Sequence, residues 1–151
     1  MAHVTLDADG NVTGIFAVPQ PHLSGYAEID DTDPKVAAFQ AAIAAAAARA
    51  QKLASGLEIA STALPTISGT YAIDPSAQQK IAAISLYIAV NGRFPAGQAT
   101  LAYPDLAGAA HVFPTTAIFQ AFATALADYV AAIDLAAAGT GEMPSQPVTI
   151  A

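Results

Sequence analysis

The side chains in this sequence that could carry metal or acid–base chemistry are three histidines and twelve acidic residues. The histidines are spread along the chain, at His3, His22 and His111. Zinc-binding helices place their ligands a few residues apart, and no such spacing occurs here. Each histidine is therefore interpreted as a surface or turn residue, and no metal site is predicted.

The carboxylates offer two weaker patterns. Asp30, Asp31 and Asp33 resemble part of a calcium loop, but the glycine and the terminal glutamate of such a loop are missing. Asp128 and Asp134 are six residues apart on a predicted helix, a separation that does not place two carboxylates side by side. Nucleophile-elbow, P-loop and dinucleotide-binding motifs are absent as well. We therefore expect no enzyme activity, no catalytic residues and no cofactor.

Three tyrosines, Tyr71, Tyr87 and Tyr103, form a possible partner or glycan surface, because aromatic rings can stack on sugars. Packing in a core or an interface is the commoner role of tyrosines in such patterns. If the glycan interpretation holds, Tyr71, Tyr87 or Tyr103 should lie exposed in one groove, and burial of all three would exclude it.

Charge and composition exclude two further classes of site. With 5 Lys and Arg against 12 Asp and Glu, the net charge is −7, and no basic surface is available for nucleic acid. The absence of cysteine excludes disulfides, thiol catalysis and iron–sulfur clusters. Protein–protein contact is the remaining expectation for a chain that is 54% hydrophobic and only 11% charged.

One uncharged stretch, residues 106–127, is about as long as a membrane helix. Pro114 interrupts it and several polar residues dilute it, so we predict a buried or half-buried helix of a soluble domain that begins after this proline. The first residues lack the basic and apolar regions of a signal peptide.

Helix signals recur at three places. Asp33-Pro34 and Asp74-Pro75 each combine a capping carboxylate with a proline at the first helical position, and Thr115 or Thr116 caps a third helix. β-Branched runs at residues 4–6 and 12–16 flank an Asp-Gly turn and predict a hairpin. Further short strands are expected within residues 57–73 and around residues 100–113.

The helix that follows Asp33 is rich in alanine and carries apolar residues at alternating spacings of three and four. These residues are Val36, Phe39, Ile43, Ala46, Ala50, Leu53 and Leu57. Over roughly three heptads this is the pattern of a coiled-coil seam. The seam either packs on the chain's own domain or forms an oligomer interface, and self-association as a dimer or trimer is slightly favoured.

The predicted fold class is α+β. It consists of an N-terminal β-hairpin, a long Ala-rich heptad helix and a compact domain of two helices and short β-hairpins. The predicted segments are a hairpin with an acidic linker (1–33), the heptad helix (34–56), the α+β domain (57–138) and a C-terminal tail (139–151). Within the tail, residues 148–150 are a possible short strand that could dock on a neighbour.

Two stretches of the sequence resemble known phage proteins. The run from His3 to Phe16, with the segments 19–21, 25–30 and 33–39 that follow it, resembles the start of small bacteriophage tail proteins encoded near tail-fibre genes. Residues 57–135, with the pattern Asp74 to Ile81 before a hairpin and a final helix, resemble the phage-associated domain of unknown function DUF4376.

The resemblance implies a non-enzymatic structural protein of the virion tail, assembled in the bacterial host cytoplasm and associated with a tail fibre or baseplate. Its expected partners are other copies of itself and tail-fibre or baseplate proteins, with no nucleic acid and no membrane insertion. Two alternatives remain open: a tail-fibre assembly chaperone absent from the virion, and a glycan-binding module for receptor recognition.

Overall fold

The structure, a computed structural model, describes all residues from Met1 to Ala151. It is an α+β fold with three α-helices and eight β-strands in three small sheets. The strands are β1 (Ala2–Leu6), β2 (Val12–Phe16), β3 (Tyr26–Ile29), β4 (Leu57–Ser61), β5 (Gly69–Tyr71), β6 (Leu101–Pro104), β7 (Ala110–Phe113) and β8 (Val148–Ile150). The helices are α1 (Pro34–Ser55), α2 (Pro75–Asn91) and α3 (Thr116–Ala137). The chain divides into two compact units, unit 1 (Met1–Ala47) and unit 2 (Ala48–Ala151).

Unit 1 contains an antiparallel sheet with the strand order β2-β1-β3. The predicted hairpin is present, and Gly10 adopts φ +76° in its turn, a conformation that glycine reaches without strain. The Asp7 carboxylate accepts hydrogen bonds from the backbone and side chain of Asn11 and so fixes the same turn. Val4 at the centre of the sheet is fully buried, and Val36 of α1 packs against the same small core.

The prediction of a long Ala-rich heptad helix is wrong. The Ala-rich segment forms α1, which has 22 residues, the same length as α3. It begins where the Asp33 carboxylate accepts a hydrogen bond from the Lys35 amide, and it ends before Gly56, which has φ +76°. Leu57, the last residue of the predicted seam, therefore lies in β4 and not on the helix.

Two strands lie in the segments predicted as the acidic linker and the C-terminal tail. β3 falls within the predicted acidic linker and pairs with β1, so that unit 1 contains three strands instead of a hairpin. β8 falls within the predicted C-terminal tail and pairs in parallel with β4. Both strands are short and complete the free edge of a strand that the sequence does predict. The possible strand at residues 148–150 is therefore present, whereas local patterning did not reveal β3.

Unit 2 is built on an aromatic core. Its sheet has the strand order β5-β4-β8, and a separate hairpin joins β6 and β7. Phe122 of α3 lies at the centre, with its ring centroid 4.6 Å from that of Tyr71 and 5.1 Å from that of Phe113. Phe119 and Phe94 extend this cluster through edge-to-face contacts.

The helix ends of unit 2 confirm the predicted capping. The Asp74 carboxylate accepts hydrogen bonds from the amides of the first turn of α2, and Gly92 ends that helix in the left-handed conformation. The Thr115 hydroxyl accepts a hydrogen bond from the Ile118 amide at the start of α3. These interactions fix where the two helices begin, and therefore which residues face each other between them.

α3 is the one helix that is long and apolar enough to cross a membrane. In this structure one side of it lies in the core of unit 2. The buried residues on that side are Phe119, Phe122, Ala123, Leu126, Tyr129 and Ile133.

Candidate functional site

The predicted seam residues of α1 are found in three different environments. Val36 is buried in unit 1, and Phe39 is half-buried against the same core. Leu53, at the other end of the helix, packs against the core of unit 2. The ends of the seam therefore contribute to the two units themselves, and only the middle of the helix is free.

The middle of α1 is exposed and carries no charge. Ile43 is 55% exposed, and Ala46 and Ala50 are exposed as well. No charged residue occurs between Lys35 and Arg49. An uncharged helix segment that is apolar apart from one residue, here Gln40, is normally covered by other protein. We refer to residues 40–47 as the exposed α1 segment.

The three candidate tyrosines do not share a surface. Tyr71 is fully buried, and its hydroxyl donates a hydrogen bond to the carbonyl oxygen of Ile67 at 2.6 Å. Tyr103 is half-buried, with its ring centroid 6.5 Å from that of Tyr71 and 6.1 Å from that of Phe122. Tyr87 lies apart from both on α2. Tyr71 is therefore a core residue, because the aromatic cluster of unit 2 encloses it, and the structure contains no groove lined by all three rings.

His111 and Asp105 form a pair in the β6–β7 hairpin. The His111 Nε2 atom lies 3.2 Å from Asp105 Oδ2, and Nδ1 lies 2.8 Å from the carbonyl oxygen of Thr66. The Thr66 carbonyl is the main cause that raises the pKa of His111, and Asp105 adds to it. The hydrogen bond from His111 is in turn the main cause that lowers the pKa of Asp105. Since both ring nitrogens face acceptors, the pair favours a charged imidazolium that ties the hairpin to the loop before β5.

Of the remaining acidic candidates, all but Asp128 have structural partners. Asp31 binds the amino group of Met1, and Asp30 accepts hydrogen bonds from Thr32. Asp134 pairs with Arg49 at 2.7 Å, whereas Asp128 is exposed on α3. The structure contains no group of three or more His, Cys, Asp or Glu residues able to hold a metal ion.

A surface that the sequence interpretation missed lies between α2 and α3. A groove of about 660 Å³ runs between the two helices and is lined mainly by alanine and other aliphatic side chains. On α2, Ala82, Leu86, Ala89 and Val90 follow spacings of three and four and are exposed. The spacing of these four residues is visible in the sequence. The sequence interpretation gave a role only to the other apolar face of α2, which packs in the core through Ala77, Ile81 and Ile88. We refer to this surface as the α2–α3 groove.

No protein-family model, no curated protein and no solved structure matches this chain. The likeness of residues 3–39 and 57–135 to phage tail proteins stays a prediction.

Proposed function

We propose that this chain is a non-enzymatic structural component of a bacteriophage tail, associated with a tail fibre or baseplate, and that it acts by protein–protein assembly. Two lines of support are independent of each other. The resemblance of residues 3–39 and 57–135 supplies the tail setting. The exposed α1 segment supplies the contact surface, and it is the observation that carries the proposal.

The exposed α1 segment suits association for an energetic reason. Burying a whole isoleucine side chain contributes about 1.5–3 kcal/mol of favourable free energy. Ile43 is still 55% exposed in the single chain, so about half of this free energy is available to association. The alanines beside it allow a second helix to approach closely at little cost in side-chain entropy. Because the segment is uncharged, this contact removes no charge from water.

The partners proposed for this surface are another copy of the chain, as a dimer or trimer, and a tail-fibre or baseplate protein. Replacing Ile43 by glutamate would place a charge at the centre of the contact. We expect Ile43→Glu to weaken association by about tenfold or more, because an unpaired charge in an interface costs well over the 1.4 kcal/mol of one decade.

Ala37→Glu is the matched control, because Ala37 is exposed on the first turn of the same helix, outside the exposed α1 segment. Sedimentation velocity of the two variants and the unmodified chain measures the effect. An unmodified chain that stays monomeric and binds no tail protein contradicts the proposed contact, as does an Ile43→Glu variant that associates normally.

Mass spectrometry of purified phage particles tests the tail setting. A structural component is expected at a constant ratio to the other tail proteins. A chain that is made during infection but absent from finished particles would instead be an assembly chaperone.

A further inference from the structure

α2 and α3 lie side by side in unit 2 and run in opposite directions. Phe94, just beyond the end of α2, packs edge-to-face on Phe119 in the first turn of α3. Gln78 near the start of α2 and Asp134 near the end of α3 both line the α2–α3 groove. Gln120 of α3 donates to the carbonyl oxygen of Ser85 on α2 and so fixes their register. The groove is therefore the outer face of a regular two-helix layer whose inner face covers the aromatic core.

The outer face combines a ridge with a groove. Leu86 and Val90 project from α2 and are 66% and 73% exposed. The groove beside this ridge is lined by small side chains, among them Ala89, Ala127 and Ala131. A surface that carries both a projecting ridge and a groove for it is self-complementary across a two-fold axis.

The charge distribution also permits a second copy at this face. Each chain carries a net charge of −7, so two copies repel each other at most relative orientations. Asp134 is the only charged residue that lines the groove, and Arg49 neutralises it at 2.7 Å. Two chains can therefore approach through the α2–α3 groove without placing unpaired acids opposite each other.

The size of the face is sufficient for specific pairing. With 1.5 Å of rise per residue and helices 8–10 Å apart, the face formed by residues 78–90 and 123–134 measures about 20 Å by about 20 Å. Two such faces would bury about 800 Å² if they were flat and about 1,000 Å² with the relief of their side chains, which is in the range of weak, transient interfaces. A weak dimer is expected from such an area.

We propose that the α2–α3 groove binds the same groove of a second copy, which forms an antiparallel four-helix layer with two-fold symmetry. Leu86 of each copy lies between α2 and α3 of the other. Four-helix layers of this kind bury apolar stripes that a single pair of helices leaves exposed. This contact is separate from the exposed α1 segment and does not require the tail setting.

Sedimentation equilibrium of the full chain, over about 1–100 μM, tests the proposal in the range expected for a small interface. Leu86→Glu buries a charge in the contact and should raise the dimer dissociation constant about tenfold or more. Ala127→Leu fills the groove and should weaken the dimer as well, because the ridge of the partner loses its space.

Lys80→Glu is the control for general repulsion. Lys80 is exposed on α2 and does not line the groove. Its replacement by glutamate changes the net charge by twice as much as Leu86→Glu does. We expect it to shift the dissociation constant by less than about threefold, because exposed charges contribute little. Circular dichroism confirms that each variant is folded, which is expected because Leu86 and Ala127 are exposed.

Two results would overturn the proposal: a chain that remains strictly monomeric over this concentration range, and self-association that Leu86→Glu leaves unchanged. Measuring Ile43→Glu in the same series separates the two surfaces. If only Ile43→Glu weakens association, the groove contact is refuted and the contact through the exposed α1 segment is supported. If only Leu86→Glu weakens association, the groove contact is supported.

Discussion

Replacing Tyr71 by phenylalanine removes one hydroxyl from the core of unit 2 and leaves the ring in place. The hydroxyl donates to the carbonyl oxygen of Ile67 at 2.6 Å, and this carbonyl has no other protein donor. Tyr71 is fully buried, so water cannot take the place of the lost donor without entering the core. A buried acceptor without a partner costs about 1–3 kcal/mol.

We therefore expect Tyr71→Phe to lower the free energy of unfolding by about 1–3 kcal/mol. In a unit of about 100 residues this lowers Tm by about 4–24 °C. Thermal and urea unfolding followed by circular dichroism measure the change. Tyr87→Phe is the matched control, because Tyr87 is only half-buried and its hydroxyl makes no protein hydrogen bond, and it should change stability by less than about 0.5 kcal/mol.

A second measurement on the same variant uses pH. Burial raises the pKa of Tyr71 above its ordinary value of 10.0. Because the folded pKa is the higher one, the contribution of this phenol to stability is complete below pH 10 and is lost as the pH rises above it. Tyr71→Phe should therefore lose less stability than the unmodified chain above pH 10. Equal stability of Tyr71→Phe and the unmodified chain at neutral pH, or an equal loss in Tyr87→Phe, would refute this account of the core.

Three further predictions concern unit 2. The raised pKa of His111 and the lowered pKa of Asp105 imply that the contribution of this pair to stability is greatest between pH 3.8 and 6.5 and falls on both sides. Urea unfolding of His111→Gln should therefore show a flatter loss of stability above pH 6.5. Gln146→Ala removes one acceptor and two donor contacts of the C-terminal segment and should lower the unfolding free energy by about 2 kcal/mol, whereas Ser145→Ala, an exposed neighbour, should not. Asp74→Ala removes the cap of α2 and should cost about 1 kcal/mol in thermal unfolding, with Asp74→Asn retaining most of the stability.

Capping and turn residues made the boundaries of the helices predictable. Asp74 and Thr115 fix the starts of α2 and α3 through hydrogen bonds to nearby amides. These interactions span only a few residues, so the sequence contains all the information that they need. The β1–β2 and β6–β7 hairpins were predictable for the same reason, because their strands are close in the chain.

The Ala-rich segment shows where this reasoning fails. Between Phe39 and Leu53, Ile43 is the only large apolar residue that marks a seam, since alanine suits every face of a helix. The heptad pattern therefore could not distinguish a long association helix from one of 22 residues whose two ends pack in separate cores. The pairing of β8 with β4 was equally hidden, because it joins residues 59 and 148.

The candidate surfaces were predictable only in part. The sequence left open whether Ile43 packs on the chain's own domain or faces another chain, and the structure shows that it is exposed. The α2–α3 groove requires the relative placement of two helices, which depends on the Ser85–Gln120 contact and on the ring of Phe119. Neither contact could be predicted from the sequence, because each joins residues of different elements at no regular spacing along the chain.

The parallel pairing of β8 with β4 also determines when the two units can fold during synthesis. The sheet of unit 1 joins residues within the first 29 positions, so it can form while most of the chain is still being made. The sheet of unit 2 needs Ile150, which is buried in the core and pairs beside Ser61. Until that residue has left the ribosome, the edge of β4 that pairs with β8 stays unpaired. Because an unpaired strand edge can pair with a strand of another chain, this edge of β4 is open to misassembly during synthesis.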